Sequence, residues 1–147
     1  MIDVLVRTPG ETFLLGQKVG RMLPPCQTVA FFGELAAGKT TFIKGLVEGA
    51  AGYSSEMVNS PTFVYLHVYE GSKTVYHFDL YRLTHSDEFF GMGFDDFLFT
   101  QGICCIEWAE RIEELLPPDT LRVVISHDPE GRRIRITPWE DHEAVRF

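Results

Sequence analysis

One stretch constrains the fold more than any other: Gly33-Glu34-Leu35-Ala36-Ala37-Gly38-Lys39-Thr40, which satisfies G-x-x-x-x-G-K-[ST]. It follows Thr28-Val29-Ala30-Phe31-Phe32, an almost uniformly apolar run of the kind that makes a strand covered on both faces. From Thr40 the spacing changes, with Ile43, Leu46, Val47 and Ala50 at i, i+3, i+4 and i+7 and with Gly49 and Gly52 near the end, which predicts an amphipathic helix. Strand, glycine turn and helix form the context in which this pattern cradles phosphate. Glycines let the backbone close around phosphate oxygens, while successive N–H groups and the helix N-terminus supply partial positive charge. Lys39 adds a point charge for the β- and γ-phosphates, and Thr40 offers a hydroxyl to Mg²⁺.

The surrounding pattern predicts an α/β protein. Thr8-Pro9-Gly10-Glu11 combines a capping hydroxyl, a proline at the first helical position and a glutamate three residues after the cap. The helix it predicts places Leu15, Val19, Met22 and Leu23 on one face and ends at Pro24-Pro25. The β-branched and aromatic runs Thr62 to Tyr69 and Thr74 to Tyr81 predict two strands joined by Glu70-Gly71-Ser72-Lys73. Thr84 to Phe99 predicts one short helix capped by Thr84 or Ser86, followed by an irregular turn through Gly91 and Gly93. Ile103-Cys104-Cys105-Ile106 reads as a second buried strand. Ile112, Leu115 and Leu116 then mark a short helix stopped by Pro117-Pro118, and Leu121 to Ser126 with Arg133 to Thr137 form a hairpin. With no repeat or linker, residues 1–147 are expected to form a single domain: a three-layer, P-loop NTPase-like fold with a mixed, mainly parallel sheet and antiparallel hairpins.

Charge and cysteine usage exclude several function classes. The 147 residues carry 13 Lys+Arg against 21 Asp+Glu, a formal charge of −8, so independent grip on DNA or RNA through phosphate neutralisation is not expected. No run approaches the roughly 18 apolar residues of a membrane span, and no basic then apolar leader opens the chain, so a soluble, unprocessed protein is expected. The three cysteines, Cys26, Cys104 and Cys105, lack C-x-x-C spacing; they argue against a disulfide framework or a zinc site and for a reducing, cytoplasmic compartment.

Hydrolysis on a phosphate loop also needs a carboxylate at the end of a buried strand to hold Mg²⁺. Two residues qualify. Glu107 follows Ile103 to Ile106, and Asp79 ends Val75-Tyr76-His77-Phe78. On spacing alone each is equally a helix cap or a solvated strand end. Ser60-Pro61-Thr62 could present a hydroxyl to the γ-phosphate, although a proline-set turn into a strand explains it as well. His67, His77 and His85 have no metal-ligand spacing and read as core or surface residues, and Trp108 reads as packing. The absence of an Asn-Lys-x-Asp element tilts the nucleotide towards ATP.

Four motifs in this order, Lys39-Thr40-Thr41-Phe42, Ser60-Pro61-Thr62-Phe63, His77-Phe78-Asp79-Leu80-Tyr81-Arg82 and Ile106-Glu107-Trp108, closely resemble the TsaE family, from about Thr12 to Arg132. Its members are bacterial ATPase subunits of the system that makes N6-threonylcarbamoyladenosine in tRNA. The resemblance implies that Lys39 and Thr40 bind phosphate and Mg²⁺ with Thr41 beside them, and that Thr62 is a switch-like threonine. Asp79 and Glu107 would serve the magnesium and the attacking water, with Trp108 close to the nucleotide. Thr12 and Arg132 match further nucleotide contacts of the family. It also implies TsaD and TsaB as partners, with tRNA met only through the complex and hydrolysis weak or partner-dependent. The chain departs from the family pattern at Ala36, where a third glycine is usual, and at Ala109, where proline usually follows the tryptophan. The alternatives are a small-molecule kinase, disfavoured by a candidate lid, Thr84 to Phe99, without arginine, and a nucleotide-dependent docking module. In the latter, the aromatic hairpin with Phe89, Phe90, Phe94, Phe97 and Phe99 would meet the partner.

Overall fold

The structure, a computed structural model, describes residues 1–34, 37–53, 65–99 and 101–139. The chain runs β1 (Ile2–Val6), α1 (Pro9–Met22), β2 (Gln27–Phe32), α2 (Lys39–Ala51), β3 (Leu66–Tyr69) and β4 (Val75–Asp79). It continues through α3 (Ser86–Gly91), a 3-10 helix at Phe94–Phe99, β5 (Ile103–Glu107), a second 3-10 stretch at Ala109–Leu115, and the hairpin β6 (Leu121–Asp128) and β7 (Gly131–Thr137). Among the described residues the strands form one mixed sheet in the order β1-β7-β6-β2-β5-β4-β3. The four central strands β6, β2, β5 and β4 are parallel, and antiparallel partners close both edges.

The sequence reading did not anticipate β1, which is short and lies at an edge. Its register is held by charge: Asp3 faces Arg135 across the pair and accepts hydrogen bonds from Arg133 Nη1 at 3.0 Å and Arg135 Nε at 3.4 Å. The α1 cap is as the sequence predicts, with Thr8 Oγ1 accepting from the Glu11 amide at 3.1 Å and the Glu11 carboxylate accepting from the Arg7 amide. Met22, expected on the buried face, is exposed. Leu15, Val19 and Leu23 are buried as expected, and the stripe of α1 also takes in Thr12, Gly16 and Gly20, because glycines bring α1 onto α2. A Cβ on Gly16 would lie 2.2 Å from the Phe42 carbonyl oxygen, and one on Gly45 of α2 would lie 2.1 Å from the Phe13 carbonyl oxygen. The two helices therefore touch backbone to backbone, and Lys73 Nζ donates to the Gly20, Arg21 and Leu23 carbonyls at the end of α1.

Strand periodicity sorts the core into two faces. Val29 and Phe31 of β2 and Ile103 and Cys105 of β5 pack with α1 and α2, while Ala30, Cys104 and Ile106 pack with the α3 side. Phe89, Phe94 and Phe97 join that second cluster around Phe78, so the segment proposed as a lid or docking surface is anchored in the core through these three rings. Phe90 and Phe99 alone of that group stand exposed. In place of the irregular turn after Gly93 the chain forms the Phe94–Phe99 3-10 helix, and the helix expected around Ile112 is 3-10 as well, kinked at Ile112. β4 stops at Asp79, two residues earlier than expected, because Asp79 Oδ1 accepts from the Tyr81 amide at 3.0 Å and turns the chain.

Candidate functional site

The site lies where three parallel strands end side by side. Gly33 follows β2, Asp79 closes β4 and Glu107 closes β5, with Glu107 in register with Phe31 on one side and Asp79 on the other. Alternation along the strands aims the acids. Val75 of β4 and Ile103 and Cys105 of β5 face α1 and α2, so His77, Asp79 and Glu107, two or four residues on, share that face. The helix that begins there is α2. It opens at Lys39 after Gly38, whose φ of 110° and ψ of 13° belong to the left-handed region that glycine adopts without penalty.

Lys39, Asp79 and Glu107 are buried polar residues at 6%, 8% and 4% exposure, and burial of such groups demands partners. Lys39 Nζ donates to the Gly33 carbonyl at 2.7 Å, so the lysine spans the loop that it closes. Its ammonium also lies 4.5 Å from the centre of the Trp108 ring. Thr40 Oγ1 is 3.5 Å from Glu107 Oε1, and Glu107 Oε2 is 2.7 Å from His77 Nε2. Trp108 adopts φ 59° and ψ 40°, a left-handed conformation that costs an indole-bearing residue about 1–2 kcal/mol. That backbone sets the ring over Lys39 and against Tyr81, at 5.1 Å between ring centres. The tryptophan that spacing alone read as packing, and that the family resemblance set close to the nucleotide, thus covers the lysine of the loop.

A cavity of about 320 Å³ is lined by Arg7, Thr8, Thr12, Gly38, Thr41 and Arg132, among others. It brings together Thr12 and Arg132, which are 120 positions apart in the chain, with the end of the glycine loop. Ala37 is buried and also lines it, whereas Glu34 is exposed, its carboxylate 4.0 Å from His127. Leu35, Ala36 and Thr62 lie outside the described residues, so the departure from glycine at position 36 and the switch-like threonine have no structural account.

Burial, together with a nearby Cys26, pushes the Cys104 thiol up to about 12. Burial, then Cys104 and Glu107, raises Cys105 well above the usual thiol range, which disfavours the reactive thiolate at both positions at neutral pH. Among the described residues no group of three or more His, Cys, Asp or Glu side chains could hold a metal by itself. A hydroxyl and two carboxylates beside a phosphate loop suit a hard cation that takes its remaining oxygens from phosphate and water. The residues present therefore fit Mg²⁺ bound together with a nucleotide. His77, which the sequence reading left as a core or surface histidine, joins the site through Glu107. Its only signal in the sequence is its place two residues before Asp79 in a strand.

A sheet whose parallel centre ends in a glycine turn, a lysine-led helix and two strand-end acids defines an α/β protein of the P-loop-like class. The family model described as "Threonylcarbamoyl adenosine biosynthesis protein TsaE" matches residues 6–134. The chain belongs to the TsaE family. It is 40% identical over 127 residues to a tRNA threonylcarbamoyladenosine biosynthesis protein TsaE of Treponema pallidum, covering 86% of this chain and 93% of that one. It is 38% identical over 126 residues to the protein of that name from Bacillus subtilis, with 85% and 77% covered. The crystal structure of YdiB from Bacillus subtilis superposes with a TM-score of 0.76 at 30% identity, covering 98% of this chain and 90% of that one.

Proposed function

We propose that the protein is a Mg²⁺-dependent, ATP-binding and ATP-hydrolysing accessory subunit for N6-threonylcarbamoyladenosine modification of tRNA, working in the cytoplasm with TsaD and TsaB. The observation that carries this reading is that buried Lys39 reaches back to the Gly33 carbonyl while buried Glu107 approaches Thr40 at the start of α2, with a cavity lined in part by Gly38 and Thr41 of the same region.

In this reading Gly38, Lys39, Thr40 and the rest of the loop from Gly33 wrap the phosphates, and Thr12, Thr41 and Arg132 hold the nucleoside side in the cavity. Magnesium, when bound, neutralises phosphate charge and polarises the group transferred. Thr40, Asp79 and Glu107 would hold it. The ammonium of Lys39, already desolvated and oriented by Gly33, meets the β- and γ-phosphates without reorganising. Asp79 and Glu107 orient the attacking water, and Trp108 keeps bulk water from Lys39. The acidic net charge of −8 leaves tRNA to the partners, so nucleotide turnover acts on the complex and not on the RNA directly. The family membership and the printed names of the relatives support the pathway. The anchoring of Phe89, Phe94 and Phe97 in the core disfavours a mobile kinase lid.

The test is Mg-ATP hydrolysis by the protein alone and with TsaD and TsaB, with Lys39→Ala as the blank. Turnover that rises with the partners and is lost in the variant is expected. Nucleotide binding without turnover in any mixture would refute the hydrolytic role and leave a docking module.

A further inference from the structure

His77 is fully buried in β4, and its two ring nitrogens are treated differently. Nε2 lies 2.7 Å from Glu107 Oε2, while Nδ1 has no hydrogen-bond partner among the described residues. A buried N–H without an acceptor costs more than a buried lone pair without a donor, so the ring hydrogen belongs on Nε2, where Glu107 accepts it. Asp79 and Glu107 sit side by side at adjacent strand ends, and two neighbouring acids repel unless each is held. The Tyr81 amide holds Asp79. The structure assigns the corresponding task at Glu107 to His77: it is a positioning residue that ties down Oε2 and turns Oε1 towards Thr40, 3.5 Å away. This rests on the reading that Glu107 works at the phosphate site. It goes beyond that reading by naming what fixes the acid's geometry, and it distinguishes His77 from a histidine that merely fills space.

Two measurements test it. Long-range ¹H–¹⁵N spectra of the full-length protein without nucleotide, with the ring assigned by its loss in His77→Gln, should show hydrogen on Nε2. A ring that carries no hydrogen on Nε2 would overturn the inference. In hydrolysis assays with TsaD and TsaB, His77→Leu should lose about 10–100-fold in kcat at an ATP KM within about twofold of the original. His77→Gln, which keeps an N–H near the position of Nε2, should stay within about threefold of the original kcat. A His77→Leu variant that turns over at the original rate, or a His77→Gln variant as slow as His77→Leu, would overturn it. If His77→Leu does not fold, the spectra and the rate of His77→Gln decide. Glu107→Gln separates the two claims: if it hydrolyses ATP normally, the role of Glu107 itself falls, whereas a dead Glu107→Gln beside a fully active His77→Leu removes only the positioning role.

Discussion

Replacing Gly45 with alanine should loosen the α1–α2 contact on which the cavity wall depends. The new methyl would sit 2.1 Å from the Phe13 carbonyl oxygen and 3.0 Å from both the Phe13 carbonyl carbon and the Gln17 amide nitrogen. A comfortable C···O contact is about 3.3 Å, so α1 must retreat by about 1 Å, and the obstructing atoms are backbone, which cannot swing aside. Alanine by itself favours a helix over glycine by about 1 kcal/mol. Overpacking at a rigid contact costs about 3 kcal/mol or more, which leaves a net loss of about 2 kcal/mol. For a chain of this length that corresponds to a fall in Tm of about 4–8 °C. Because α1 also carries Thr12, whose Cγ2 lies 3.8 Å from where a Cβ on Gly38 would be, ATP affinity should fall with it. Gly91→Ala at the end of α3 is the control, since nothing lies within 4 Å of its Cβ position and its Tm should hold or rise slightly. Differential scanning calorimetry of both variants decides. A Gly45→Ala protein that melts at or above the original temperature would refute the backbone-contact reasoning.

Other outcomes follow from the same structure. Ellman's reagent should label one thiol, exposed Cys26, in the native protein and three in denaturant; rapid labelling of Cys104 or Cys105 in the native state would contradict the burial that raises both. The Arg133 hydrogen bond, aided by the charges of Arg135 and Arg133, holds the Asp3 carboxyl below its ordinary 3.8, so its contribution is present above that pH and is lost as pH falls through the lower folded value. Urea midpoints between about pH 5 and 2 should therefore drop more steeply for the original protein than for Asp3→Asn, and parallel curves would count against the pairing. Arg132→Ala should weaken ATP binding roughly tenfold if the cavity beside Gly38 takes the nucleotide, and unchanged affinity by titration would place the nucleoside elsewhere.

How far the sequence could be read depended on whether a signal was local. The glycine loop, α2 and the strand ends at Asp79 and Glu107 follow from patterns only a few residues long, and the structure sets Gly33, the start of α2 and these two acids at the ends of the central parallel strands. β1 escaped because an edge strand needs only five residues, and its partner β7 lies at the other end of the chain. The α1–α2 contact escaped for a related reason. A glycine in a helical pattern reads as a weak point or an end until the opposing backbone, 2.1–2.2 Å from its missing Cβ, is known. Thr12 and Arg132 were reachable only through the family resemblance, since no spacing rule links residues that meet solely because β1, α1 and β7 converge at one cavity. His77 escaped because its chemistry lies in a cross-strand contact with Glu107, not in any sequence neighbour.

The central claim is that the loop closed by Lys39 holds the phosphates of ATP. Isothermal titration of ATP with Mg²⁺ into the original protein and into Lys39→Ala tests it most directly, with a melting curve to establish that the variant is folded. Saturable 1:1 binding to the original protein and its loss in the folded variant is the predicted result. Full affinity in Lys39→Ala would contradict the phosphate site, and the functional account built on it.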